Sequence, residues 1–495
     1  MSPPVIYEVN TRVWLGEVER RHGGRIDLRD VPKEEWDDLV VPGADVVWLM
    51  GLWERSPAGR AIALADPELR ASFREALPDV ADADITGSPY CVRRYVADEQ
   101  LGGPDGLAVA RAELDRRGLG LFLDYVPNHV APDHPWLRDH PEYFVPGSQA
   151  DLERDPAAFL EAGGHIYARG RDPYFPPWPD VVQLNAFASE LRTAAADVLT
   201  EIGRQCDGVR CDMAMLMMND VFARTWGPRA GPRPDGDFWP AVIAAVRESH
   251  PGMTFVAEAY WDLEWALQRQ GFDFCYDKRL YDRLVHESAE SVRGHLRADL
   301  DYQGGLVRFL ENHDEPRAAA TFGPAKERAA AVLTATLPGA TLWHEGQFEG
   351  RQVRVPVFLA RRPNEEPDDD LREFYVRLLA AVHDSGMRTG AWRPLECTGW
   401  PDNPSYRDLV AACWTGEAAR QLVVVNLLGR PAQAQIPLPW DDLGGRTWTF
   451  RDLLTNVSYE RDGDQLREPG LYVGMDNWGC NVFAVEPVEP VDSGG

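Results

Sequence analysis

The strongest constraint on what this chain can fold into is a rhythm. Eight short apolar runs recur up to about residue 385: Val5–Val9, Val46–Met50, Leu121–Tyr125, Gly208–Asp212, Phe255–Glu258, Phe272–Tyr276, Leu306–Leu310 and Thr341–His344. Between and after them lie longer segments with helical spacing of apolar positions, among them Asp105–Arg117, Glu190–Gly203, Phe238–Ser249, Leu280–Leu296, Ala325–Thr336 and Asp370–His383. A run too short for a helix followed by an amphipathic helix is the mark of a β-α unit. Eight such runs predict an α/β chain folded as a closed (β/α)8 TIM barrel.

Two places break the rhythm. After the third run, residues 130–182 are long, rich in Pro, Asp and aromatics and poor in regular period; loops of this length inside a compact domain are usually functional. We read them as a short excursion domain. After about Gly386 the character changes to alternating or β-branched runs, Gln421–Leu427, Gln433–Leu438 and Arg446–Phe450, punctuated by Gly, Pro and Asp, which predict a C-terminal antiparallel β-sandwich domain. The expected division is a barrel over 1–129 and 183–386, the insertion over 130–182, the β domain over 387–488 and a flexible tail over 489–495.

Charge narrows the function. The chain carries 79 acidic against 51 basic residues, a net −28, so a polyanion would meet a repulsive field and nucleic-acid binding is excluded. Only Lys33, Lys278 and Lys326 are lysines; a salt-adapted surface and an Arg-rich codon usage both account for that. The seven cysteines are scattered, with no C-x-x-C pair, as expected of small buried hydrophobes in a reducing compartment. The N-terminus has no basic stretch leading into an apolar one, and no apolar run approaches the roughly 18 residues of a membrane span. The expectation is a cytoplasmic protein with no membrane partner, its oligomeric state left open.

In a barrel of this kind the working residues sit where strands end. Four run ends carry candidates: Asp124 with Asn128 and His129, Arg210 with Asp212, Glu258, and His313 with Asp314. One such Asp is ordinarily a cap or a solvated turn; four ends converging on one face are not. The chemistry they allow is glycoside cleavage, which needs an ionised carboxylate and a protonated one across the scissile bond. Arg210, on the same strand side as Asp212, is expected to lower the Asp212 pKa. Glu258, ending a hydrophobic run, is expected to have a raised pKa suited to acid/base work. Asp314 would bind sugar hydroxyls, and His129 and His313 would donate to the same ring.

These residues stand in ordered motifs: Asp124-Tyr-Val-Pro-Asn128-His129, Gly208-Val-Arg210-Cys-Asp212, Glu258 and Asn312-His313-Asp314, with Gln183-Leu184-Asn185 closing the long third loop. In this the chain resembles the α-amylase family of glycoside hydrolases over nearly its whole length. The resemblance implies a retaining mechanism: Asp212 as nucleophile, Glu258 as acid/base and Asp314 as stabiliser of the distorted ring, with Asp124, His129, Arg210, His313 and Tyr90 binding substrate. Tyr90 is assigned either as a sugar platform or as a packed loop tyrosine.

One departure bears on substrate. Many starch-cleaving members follow the nucleophile with Lys-His, whereas Asp212 is followed by Met213-Ala-Met-Leu-Met-Met218, read as a core-facing turn. A long open cleft is therefore disfavoured, and a short, uncharged α-glucoside is expected. Hydrolysis stands first; transfer to a sugar or to phosphate, a metal-dependent hydrolase, and a catalytically silent binding barrel are the alternatives. No cofactor is expected. The resemblance places Asn128 near a family calcium site, but calcium needs several converging oxygens, and the sequence does not supply the rest of a ligand set.

Overall fold

The computed structural model describes residues 3–417 and 419–488. The expected tail over 489–495 lies outside the described residues. All eight runs become strands of one closed parallel barrel. They are β1 (Val5–Asn10), β2 (Val46–Met50), β3 (Gly120–Tyr125), β4 (Gly208–Cys211), β5 (Thr254–Ala257), β6 (Phe274–Tyr276), β7 (Leu306–Arg308) and β8 (Ala340–His344), with β8 returning to pair with β1. Nearly all their residues are buried because helices cover the outside and side chains fill the inside, so both faces are dry.

The helices follow. Ser189–Gly203, Phe238–Ser249 and Pro324–Thr336 are single helices near the predicted limits. The expected helix over Leu280–Leu296 is instead two, Lys278–His286 and Ala289–Leu296, because Glu287 and Ser288 are extended and the Ser288 side chain caps the second by accepting from Ser291 N–H. The long third loop is more regular than its composition suggested. It holds a hairpin of Phe159–Ala162 with His165–Ala168 and a short helix, Gln149–Arg154, opened by a Ser148/Asp151 capping box. Its ends are tied where His129–Val130 pair with Val182–Gln183.

Beyond the last barrel helix, Asp369–Asp384, comes a six-stranded antiparallel sheet that begins at Ala391 and a two-stranded sheet of Ala432–Ile436 with Leu471–Met475. Leu422, Val424, Ile436, Trp448, Phe450 and Phe483 form a dry layer of their own. The opposite face of the large sheet, with Val410, Trp414 and Val423, joins the barrel core. There Trp414 Nε1–H donates to the Thr336 carbonyl at 2.8 Å. No described helix is long and apolar enough to cross a membrane.

Candidate active site

Strand register sets the site. Cys211 of β4 pairs with Ala257 of β5, so the next residues, Asp212 and Glu258, leave adjacent strands at one height. Arg210 pairs with Asp124 on the other side, which brings a third carboxylate level with the guanidinium.

Arg210 is the hub. It is 1% exposed, and Nη1–H donates to Asp212 Oδ1 at 2.8 Å while Nη2–H donates to Glu258 Oε2 at 2.7 Å. Asp124 Oδ1 lies 4.0 Å from Nη1. The guanidinium packs near the rings of Tyr90, Trp48 and Tyr276, at 5.2, 5.5 and 5.8 Å from their centroids. One buried cation cannot balance three buried carboxylates, and a charge left uncompensated away from water is costly. That cost raises each of the three acids above its ordinary pKa. Burial, with Asp212 and Asp314 adding to it, pushes Glu258 up to about 7 against the pull of Arg210. Burial also raises Asp124.

Asp212 corrects an expectation. Burial raises it above its ordinary value, helped by Asp314 and Asp124, and Arg210 only opposes the rise. The spacing within one strand showed that Arg210 reaches Asp212; it could not show that the same guanidinium is divided with Glu258.

Glu258 is fixed by donors at both oxygens. Met213 N–H donates to Oε2 at 2.6 Å, and the Tyr260 hydroxyl donates to Oε1 at 2.8 Å. The Met213 donor is aimed by a left-handed backbone, φ 42°. The run behind it forms a turn over Ala214–Met217 with Met215, Leu216 and Met217 buried, so this segment packs into the core as read from sequence.

On the other wall His313 links three groups. Its Nδ1 faces Glu8 Oε1, and its Nε2 faces Tyr90 Oη at 2.7 Å and Asp314 Oδ2 at 3.0 Å. Burial works against its protonation, but Asp314 and Glu8 outweigh it and hold the imidazole charged. Although desolvation would raise Asp314, His313 holds it below its ordinary value; its side chain is 46% exposed, open to the cleft. Tyr90 stacks on His313 at 5.4 Å and 24°, inside the site and not merely packed in its loop.

Asp124 is held by one oxygen. Gly51 N–H donates to Oδ2 at 2.9 Å, while Oδ1 is buried without a partner. Gly51 has to be glycine: φ is +78°, and a Cβ there would stand 2.8 Å from Pro89 Cβ. His129 is buried at the edge of the group against Trp178, 5.2 Å away, and burial lowers it to about 4. No bond joins it to Asp212, Glu258 or Asp314.

Sequence reasoning missed Glu8, Gly51 and Tyr260. Glu8 stands near the end of β1, where the strand-end rule used for Asp124 would have found it.

Asn128 does not fit a cation. Its Oδ1 accepts from Gln183 Nε2 at 2.8 Å, and the same Nε2 donates to Asn128 O at 3.0 Å and Leu184 O at 2.9 Å. The oxygens that a calcium ion would need here already surround an amide nitrogen. Among the described residues no group of three or more His, Cys, Asp or Glu side chains is arranged to hold a metal.

No protein-family model matches the chain. An α-amylase of Haloarcula japonica is 25% identical over 457 residues, 88% of this chain and 57% of that one. This chain therefore spans little more than half the length of that relative. An α-1,4-glucan:maltose-1-phosphate maltosyltransferase of Rhodospirillum rubrum is 30% identical over 190 residues, 36% of this chain and 22% of the other. Among solved structures, a maltogenic α-amylase of Thermotoga neapolitana superposes with a TM-score of 0.69 at 18% identity, covering 98% of this chain and 99% of that one. The chain is thus similar in sequence to an α-amylase over most of its length, and in fold to solved α-amylase structures. The segments carrying Asp124, Asp212, Glu258 and Asp314 are the ones that the barrel gathers at a single mouth.

Proposed function

We propose that the chain is a retaining glycosidase acting on short α-glucosides. The observation that carries this is the pair Asp212 and Glu258, level on neighbouring strands and bonded to the two ends of one buried guanidinium, with Glu258 pushed up to about 7. At neutral pH a carboxyl at 7 still holds a proton to donate.

The Asp212 carboxylate attacks the anomeric carbon as the bond to the leaving oxygen breaks, and that oxygen takes the Glu258 proton. The Glu258 carboxylate then removes a proton from water, whose oxygen attacks the same carbon and releases Asp212. Two displacements from opposite faces of the anomeric carbon, each inverting it, restore the α configuration. The unpartnered Asp124 Oδ1 and the charged His313 stand ready for sugar hydroxyls, and the exposed Asp314 for the ring that carries developing positive charge.

The test is incubation with maltose, maltodextrins, sucrose, trehalose and glucose 1-phosphate, following the first product by NMR. The reading expects cleavage of a short α-glucoside with the α anomer formed first. A β anomer formed first, or turnover of long chains alone, overturns it.

A second reading is transfer, in which a sugar hydroxyl or phosphate takes the place of water. The maltosyltransferase names borne by several relatives favour it. In the same assay it expects new oligosaccharides or glycosyl phosphates ahead of free sugar.

A further inference from the structure

Among the segments that follow β1 and β2, at the end of the barrel that carries the carboxylates, lies a cavity of about 340 Å³ whose wall includes Arg12, Arg55, Arg60, Ser56, Thr86 and Asp98. Other arginines in these loops are spent on carboxylates: Arg93 and Arg94 on Glu54, Arg70 on Asp82, Arg361 on Asp84. Arg12, Arg55 and Arg60 are not. Among the described residues no carboxylate oxygen lies within the 4.0 Å of an ion pair from their guanidinium nitrogens.

Their donors are also underused. Arg12 makes no side-chain hydrogen bond to a described residue, and its Nε is shielded from solvent. Arg55 places Nη1 on Thr86 Oγ1 and on the Gly87 carbonyl at 3.0 Å, leaving Nη2 shielded and unpartnered. Arg60 donates only to neutral carbonyls, those of Ile85 at 2.6 Å and Asp82 at 2.8 Å. The acid in the wall, Asp98, accepts from Arg55 N–H and Gln100 N–H. Three cations thus face one anion in a chain whose net charge is −28. The guanidinium of Arg55 registers the imbalance: burial pushes it down to about 10, Asp98 resists, and Arg12 adds repulsion.

Half-buried cations held together without counter-charges are stabilised by an anion that enters between them. Forked guanidinium donors match phosphate oxygens. A phosphate monoester carries about −1.5 to −2 at neutral pH, close to the excess here, whereas a carboxylate carries half of that. The volume falls within the range of roughly 300–1,000 Å³ of small-molecule sites, enough for a sugar and its phosphate. The position is right for a substituent on the substrate: Arg12 follows the end of β1, and Arg55 Nη2 lies 3.2 Å from the direction in which Gly51, the donor to Asp124, would carry a Cβ.

We propose that this cavity binds the phosphate of a phosphorylated sugar presented to the barrel mouth. The inference rests on the glycosidase reading for its sugar and on the arginines for its phosphate. It departs from the uncharged substrate expected from the overall charge, because the local field in this cavity has the opposite sign to the whole chain.

The experiment is calorimetric titration of the full chain at low salt with glucose 6-phosphate, glucose, inorganic phosphate and glucuronate, alongside cleavage of an aryl α-glucoside. Glucose 6-phosphate is expected to bind at least about tenfold more tightly than each of the others, the scale of one charge-assisted hydrogen bond. Arg12→Gln, which gives up no internal bond, and Arg60→Gln are each expected to remove that margin while aryl-glucoside turnover persists. Equal affinity for glucose and its phosphate, tighter binding of glucuronate or of inorganic phosphate, or an undiminished margin in both variants overturns the proposal. Turnover lost while the phosphate margin persists contradicts the glycosidase reading and supports this one; turnover kept without any margin does the reverse.

Discussion

Tyr260→Phe isolates what sets the acid. The Tyr260 hydroxyl donates to Glu258 Oε1 at 2.8 Å. A donor to a carboxylate favours the ionised form, so removing it raises the Glu258 pKa. A hydrogen bond to a charged group contributes about 1.5 kcal/mol at the low end, and 1.36 kcal/mol is one pKa unit, so the shift is about one unit upward from about 7. Glu258 as general acid must be protonated, so activity falls as pH rises through its pKa. The alkaline limb of kcat/KM on an α-glucoside with a poor leaving group should therefore move from near 7 to about 8. The ring of Tyr260 is retained, so the fold is preserved. An alkaline limb that stays in place or moves downward would refute the reasoning, because some other group would then own it.

Glu258→Gln should lose activity on alkyl glucosides and regain most of it on a substrate with a good leaving group such as an aryl glucoside or glucosyl fluoride, since protonation is then dispensable; comparing kcat/KM across leaving groups checks this. Gln183→Ala strips a fully buried amide that serves three carbonyl oxygens, leaving acceptors unpaired at a cost of about 1–3 kcal/mol, read as a lower midpoint in urea. Glu327 is buried, and burial raises it to about 7 against a hydrogen bond from Tyr375. The folded state therefore holds this proton more tightly than the unfolded one, and stability declines as pH rises from 4.5 through 7. Glu327→Gln should flatten that decline by up to roughly 3 kcal/mol between pH 5 and 8, measured by unfolding at both.

The barrel was legible because each strand announces itself twice, as an apolar run and by the amphipathic segment that follows. Strand limits were less so: Phe272 and Phe309 are apolar and buried, yet lie outside the ladders of Phe274–Tyr276 and Leu306–Arg308, since hydrophobicity reports burial and not pairing. The hairpin in the third loop had a local sign in Gly163-Gly164, both at positive φ between two short strands. The surrounding Pro and aromatic content masked it. At the site, the motifs carried Asp124, Asp212, Glu258 and His313 to one mouth, but the sign of the Asp212 shift depended on how one guanidinium is divided among neighbours from different strands. The arginine cavity was invisible for the same reason: Arg12, Arg55 and Arg60 are ordinary in sequence and become unusual only by lacking partners in space.

The central claim is that Asp212 becomes covalently glycosylated. The direct measurement is intact-protein and peptide mass spectrometry after incubation with 5-fluoro-α-glucosyl fluoride, whose good leaving group and electron-poor ring let the first displacement outrun the second. The account predicts one added fluoroglucosyl unit on the peptide containing Asp212, and none in Asp212→Ala. Turnover of the reagent with no adduct, or an adduct on another carboxylate, would contradict it.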